Sequence, residues 1–451
     1  MAKKKKSVTY ECQHCGYSSL QQLGKCPGCG EWDSFIEVKK SDEKERVSYK
    51  KESVAIGEGA ISLLDIESED VERISTNDSE LDLVLGGGFV EGSLVLIGGS
   101  PGVGKSTLLL KIAGNVASDG SVLYVSGEES LQQIKLRADR LSISEKDLYL
   151  LSEIEFETIR DEILNSSYNL VVIDSIQTLY SSSVTSSAGS VTQVRTITFE
   201  LMRLAKERGV AIFIIGHITK DGSIAGPRVL EHMVDVVLYF EGEQSSELRI
   251  LRGFKNRFGN TSEIGLFEMG NSGLNSAKNI TSKFFSRNNP QSGSALTVIM
   301  EGSRPLIIEV QALVSETSLP NPKRSANGFD SNRLTMLLAL LEKKIEIPLN
   351  RYDVFINITG GIRITETASD LAVLASIISS FRDRPISRET LFIGEISLIG
   401  DIRDVPNIEG RLREASAQKF QRAVIPKKPT ESVKNLELFE VDEVSKIIDW
   451  M

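Results

Sequence analysis

The segment Gly99-Ser100-Pro101-Gly102-Val103-Gly104-Lys105-Ser106, followed by Thr107, sets out residue types at a spacing suited to phosphate chemistry. Its glycines let backbone N–H groups turn inward around a di- or triphosphate, and Lys105 is placed to reach the terminal phosphates. The Ser106 hydroxyl is a ligand type for Mg²⁺, and a helix starting near Lys105 adds its positive end. The apolar run Leu94-Val95-Leu96-Ile97 just before it predicts a buried strand feeding the loop. A glycine-rich strand–helix turn with no function accounts for the glycines but not for the Lys-Ser pair. The segment predicts binding of ATP or another nucleoside triphosphate.

A second signature follows at Leu170-Val171-Val172-Ile173-Asp174, an apolar strand ending in a carboxylate. Such a strand end places Asp174 beside the phosphate loop, where it can hold the Mg²⁺ water shell. Hydrolysis also needs a group to orient water. Glu128 and Glu129, just after the apolar run Val122–Val125, are the candidates for that base. Their structural alternative is a partner for the N-terminal dipole of the next helix. His217 and Thr219 end the apolar run Val210–Ile215, where they would sense the γ-phosphate and relay its loss to Lys220–Pro227. A structural histidine fits the same position.

All four cysteines lie near the start, as Cys12-x2-Cys15 and Cys26-x2-Cys29. Each pair sets two thiolates on one tight turn, and two turns make a tetrahedral S₄ cage for Zn²⁺. Gly16 and Gly30 follow the second cysteine of each pair, where a knuckle needs positive φ. His14 reads as solvent-facing rather than as a ligand. The ribbon's target stays open between DNA, a partner protein and the chain's own ATPase domain.

Those elements need a scaffold, and the chain of 451 residues is long enough for two or three domains. A net charge of −10 gives no global field towards nucleic acid, so such binding needs local basic patches. No apolar run approaches the roughly 18 residues of a membrane span. The Lys3–Lys6 run leads into polar residues, not a secretion signal, so a cytoplasmic location is expected. Apolar runs alternating with amphipathic helices between Ser93 and Glu268 predict a parallel sheet covered on both faces. Helix 79–85 is expected to end at Gly86-Gly87-Gly88, and 181–189 to form a mobile loop. The expected division is ribbon 1–38, linker 39–73, ATPase domain 74–275, linker 276–291 and a C-terminal domain 292–451.

Together with Lys255-Asn256-Arg257-Phe258-Gly259, the ribbon, Gly99–Thr107 and Asp174 resemble the bacterial RadA (Sms) family of recombination and repair proteins over nearly the whole chain. The resemblance implies an α/β fold: a RecA-like parallel-sheet ATPase core, a small zinc ribbon before it and a Lon-protease-like α+β domain after it. It further implies a homohexameric ring, action on single-stranded or branched DNA, nucleoid association and a RecA-type recombinase as partner. In that ring Lys255 and Arg257 would act in trans, as cations on the neighbour's transferring phosphoryl group. A solvated basic hairpin or contact with DNA phosphates are the alternatives.

The C-terminal resemblance to the Lon protease domain rests on Gly394-Glu395-Ile396-Ser397-Leu398-Ile399-Gly400 and Ala423-Val424-Ile425-Pro426. Lon chemistry needs a serine activated by a lysine. The family pattern puts Ala368 at the nucleophile position and Glu409 at the lysine position, so the protease is expected to be lost. Between Arg382 and Lys428 ten Lys/Arg face seven Asp/Glu, which suits either a DNA-facing surface or an ordinary solvated one. The expected function is an ATP-dependent DNA motor of helicase or translocase type, promoting branch migration of recombination intermediates. Its rivals are a DNA-independent ATPase switch that recruits partners and an ATP-dependent protease.

Overall fold

The computed structural model describes residues 8–12, 18–19, 21–27, 30, 32, 35–39, 72–217, 228–242, 247–270, 273–277, 284–287, 289–318, 321–430 and 433–450. The chain divides into two compact units, one ending at Ser276 and one beginning at Ala277. In the first, β1 (Val8–Cys12), β2 (Ser18–Ser19) and β3 (Phe35–Lys39) make a small antiparallel sheet in the order β2-β1-β3. Its interior gathers Cys12, Cys26 and Phe35.

Next come β4 (Arg73–Ile74), α1 (Ser79–Leu85) and β5 (Phe89–Val90). The Asp78 side chain caps α1 by accepting from the Glu80 and Leu81 N–H groups, and Gly86 ends it at φ 85°. The core then alternates: β6 (Leu94–Gly99), α2 (Lys105–Val116), β7 (Val122–Ser126), α3 (Leu131–Arg140), β8 (Leu148–Ser152), α4 (Phe156–Asn165) and β9 (Leu170–Asp174). It continues through α5 (Val191–Arg208), β10 (Ala211–His217), α6 (Arg228–Met233) and β11 (Val236–Glu241).

A nine-stranded sheet results, in the order β14-β13-β12-β11-β6-β10-β9-β7-β8, where β12 is Leu248–Asn256, β13 Ile264–Gly270 and β14 Gly273–Ser276. The strands from β11 to β8 run parallel. Alternation along β6 sends Val95 and Ile97 towards Leu108, Leu109 and Ile112 of α2. Leu94 and Leu96 face the other way, towards Ile197 and Leu201 of α5. Burial on both faces explains why these runs read as continuously apolar.

Three antiparallel strands, β12 to β14, extend the sheet beyond the predicted parallel set. Their half-buried sequence, Leu248-Arg249-Ile250-Leu251-Arg252, lacks the solid apolar run that marks a parallel strand. The 181–189 segment is wound around a buried amide. Gln193 Nε2 donates to the carbonyls of Ser181, Val184 and Ser186, and its Oε1 accepts from Ser181 N.

The second unit is a seven-stranded mixed sheet, β17-β18-β16-β15-β19-β22-β23. Its strands are β15 (Ser294–Glu301), β16 (Arg304–Glu316), β17 (Arg324–Asn327), β18 (Tyr352–Ile358), β19 (Thr390–Phe392), β22 (Arg422–Ile425) and β23 (Glu437–Glu440), while β20 (Glu395–Ile396) and β21 (Ile402–Arg403) form a separate pair. Helices α7 (Ser331–Lys344), α8 (Asp370–Arg382) and α9 (Ile408–Ala417) accompany it. Every residue of α8 from Asp370 to Ser379 is buried, as its run of apolar and small residues demands. Phe284 and Phe285 fall in the stretch 276–291 expected to be a linker, yet both are buried, and Phe285 joins the core of this unit with Phe420.

Candidate nucleotide site

β6 delivers the chain to the carboxyl edge of the sheet at Gly99, where α2 begins. Gly102 and Gly104 hold positive φ, 77° and 115°, which a side chain would strain. Space is also short: a Cβ on Gly99 would lie 2.5 Å from the Phe240 carbonyl oxygen, and one on Gly104 2.7 Å from Met269 Cε. Gly104 offers α2 no side-chain cap, so the N–H groups of Lys105, Ser106 and Thr107 at the helix start remain for an anion. Lys105 is 4% exposed, and its ammonium donates to the loop's own carbonyls, Gly99 at 2.7 Å and Ser100 at 3.1 Å. Burial lowers its pKa to about 8, with Asp174 and Glu128 pulling the other way.

The predicted carboxylates converge on the same edge. Asp174, buried at the end of β9, accepts from Tyr124 Oη at 2.6 Å. Burial, with Asp174 beside it, pushes the Tyr124 hydroxyl well above its ordinary pKa, so it stays a donor. Glu128 and Glu129 part company. Glu128 accepts from Ser175 Oγ at 2.6 Å and acts on Lys105 through its charge. Glu129 is held by Arg137 of α3, which turns its carboxylate into a structural ion pair. His217 is paired in register with Gly99, while Thr219 lies outside the described residues.

Lys255 and Arg257 lie at the far end of the sheet. Asn256 pairs with Val236 and Val236 with Val95, whereas Gly99 pairs with Phe240. The step from Val95 to Gly99 spans about 13 Å at about 3.3 Å per residue. Lys255 Nζ donates to the Glu231 and Val234 carbonyls at 2.8 and 2.7 Å, closing the end of α6. Burial and the neighbouring Arg257 lower its pKa. Arg257 bonds Asp235 Oδ1 at 3.1 Å with its side chain 51% exposed, and Asp235 also accepts from Leu94 N. Asn256 and Arg73 tie this hairpin to the end of α1 through the Leu85 carbonyl.

Several contributors escaped the sequence reading. Arg249 of β12 is 5% exposed and donates Nε to the Val103 carbonyl at 3.0 Å, bracing the phosphate loop from a strand remote in sequence. Its only sequence mark is an arginine at a position that shares the buried face of the strand with Leu251. Tyr124, Ser175, Arg137 and Asp235 carry no local motif at all.

Of the ribbon cysteines, Cys12 and Cys26 are buried, 2% and 1% exposed, and Gly30 has φ 77° as a knuckle requires. Cys15, Cys29 and His14 lie outside the described residues. In the second unit Ala368 is buried and Ser369 is wholly enclosed. Glu366 and Arg411 join the two segments in which the Lon pattern sets its nucleophile and lysine. Arg411, 1% exposed, meets both Glu366 oxygens at 2.6 Å and donates to the Val298 carbonyl. Among the described residues no helix is long and apolar enough to cross a membrane.

A mainly parallel sheet with an uncapped glycine loop, a buried lysine and two carboxylates on its carboxyl edge defines a RecA-like ATPase. Residues 62–223 match the family described as AAA domain, 10–37 a rubredoxin metal binding domain and 331–429 subunit ChlI of Mg-chelatase. The chain belongs to the RadA family of DNA repair proteins. DNA repair protein RadA of Campylobacter jejuni is 59% identical over 100% of both chains. That of Helicobacter pylori is 59% identical over 99% of this chain and 100% of its own, and that of Bacillus subtilis 49% identical over 94% and 93%. A KaiC-like protein of Pyrococcus horikoshii is 20% identical, with a TM-score of 0.39 over 46% of this chain and 99% of its own.

Proposed function

We propose that the chain is an ATP-driven motor on single-stranded or branched DNA, working as a hexameric ring to promote branch migration of recombination intermediates. The carrying observation is the separation of Lys255 and Arg257 from their own phosphate loop by several residues along the central strands. Cations at that end of the sheet complete a site only on a neighbouring subunit, so hydrolysis at one site pulls on the next.

Within the site, the N–H groups of the loop and α2 cradle the phosphates, and Lys105 leaves its loop carbonyls for the terminal ones. Glu128 orients the attacking water and takes its proton; the new P–O bond forms as the bond between the β- and γ-phosphates breaks, releasing ADP and phosphate. Ser106 and Asp174 are the residues suited to hold Mg²⁺, which supplies charge neutralisation on those phosphates. Arg257 and Lys255 of the adjoining copy stabilise the charge that develops. Cys12, Cys15, Cys26 and Cys29 would hold Zn²⁺, which would supply a structural crosslink to the ribbon. The Lon-like unit serves as a platform without proteolysis, since Ala368 offers no nucleophile.

The test is ATP hydrolysis with and without single-stranded DNA at two salt concentrations, with Lys105→Ala as the blank. Stimulation that weakens with salt supports a motor touching DNA phosphates. Hydrolysis indifferent to DNA would replace this reading with a partner-recruiting switch, and cleavage of casein would replace it with a protease.

A further inference from the structure

The side-chain amide of Gln177 is the least explained polar group near the catalytic edge. Both its Oε1 and its Nε2 are closed to solvent, and neither has a hydrogen-bond partner among the described residues. Buried amides are almost always bonded, so an amide with both ends open marks a place where partners arrive. Its surroundings say what those partners answer to. Nε2 lies 3.8 Å from where a Cβ on Gly216 would stand, and Gly216 pairs with Gly98 one step before His217 meets Gly99. Two residues back, Ser175 holds Glu128. The main-chain carbonyl of Gln177, not its amide, lies 3.2 Å from a Cβ position on Gly189, the end of the loop wound around Gln193.

The same imaginary Gly216 Cβ lies 3.1 Å from Leu96 Cδ1, and Leu96 belongs to the face covered by α5. Gln177 therefore stands behind the strand ends, on the opposite face from α2. It does not reach into the phosphate loop; its amide lies against the back of the catalytic edge at Gly216. We propose that Gln177 is a positioning residue whose amide is completed when the ends of β9 and β10 rearrange around bound ATP. A donor and an acceptor on one planar group fit this role, since it can bond both an N–H and a carbonyl freed at the strand ends. The inference rests on the hydrolytic site proposed above.

The experiment uses full-length protein: steady-state ATP hydrolysis with and without single-stranded DNA, and thermal unfolding without nucleotide, for wild type, Gln177→Leu and Gln177→Met. Because no bond is lost, both variants should unfold at or above the wild-type temperature, with KM for ATP within about twofold and kcat reduced about tenfold or more. A lowered unfolding temperature that tracks the loss of activity would make Gln177 an ordinary structural group and overturn the proposal. Wild-type kcat in both variants would overturn it too. Continued hydrolysis by Lys105→Ala would instead remove the parent reading, so the two failures are separable.

Discussion

Ser175 donates its hydroxyl to Glu128 at 2.6 Å, while the adjacent Glu129 is tied to Arg137. Two neighbouring carboxylates thus have different partners. Glu128→Gln should lower kcat about 100-fold or more with ATP binding kept, the scale of losing a general base. Glu129→Gln should leave kcat within a few-fold and cost about 1–3 kcal/mol of stability by stranding Arg137. Single-turnover kinetics and denaturant melts of both variants check this; the reverse pattern would exchange the two roles.

Lys105 makes nucleotide affinity sensitive to pH in an unusual range. Its pKa is about 8 rather than 10.5, lowered by burial. The ammonium is the form that binds phosphate, so affinity should fall by up to about tenfold per pH unit above that value. Stability moves oppositely: between about 8 and 10.5 the unfolded chain binds more protons, so this group's contribution rises with pH across that window. Titrating a fluorescent ATP analogue from neutral to alkaline pH tests the shift; flat affinity to pH 10 would contradict it.

If Arg257 acts on the neighbouring subunit, Arg257→Ala and Lys105→Ala proteins should each be inactive alone and regain hydrolysis when mixed. Some interfaces in a mixed ring join an intact loop to an intact arginine. Absence of recovery at every ratio, in assemblies shown to exchange subunits, would leave Arg257 with its bond to Asp235 as its whole role.

The Glu366–Arg411 pair predicts a stability effect without a catalytic one. Arg411→Ala deprives the half-buried Glu366 and the carbonyls of Pro406 and Val298 of their donor, costing about 3 kcal/mol. Glu366→Leu with Arg411→Leu should recover much of that, because no charge is then left without its partner. Chemical unfolding of the full chain decides it; equal losses in the single and double variants would refute the compensation.

Zinc content offers a direct check on the ribbon. One Zn²⁺ per chain is expected by elemental analysis, falling towards zero in Cys26→Ser, while ATP binding at the phosphate loop persists. Full zinc content in that variant would exclude Cys26 as a ligand.

The phosphate loop, the Asp174 strand and the helix capped by Asp78 and Gly86 were legible because each is a local pattern with its own physical cause. Glycines mark positive φ, solid apolar runs mark strands buried on both faces, and caps mark helix ends. The Lys255–Gly259 motif was legible too, but only as a resemblance.

The sequence by itself determined the identity and local geometry of the phosphate-binding machinery, because those depend on residues within a few positions of each other. Only the tertiary structure decided which glutamate faces the lysine, that Arg249 braces the loop and that Lys255 and Arg257 sit at the opposite edge. It also joined Glu366 to Arg411 and left the Gln177 amide without a partner among the described residues. Each of these is set by strand register and by burial among segments far apart in the chain, and such pairings leave no mark on local spacing.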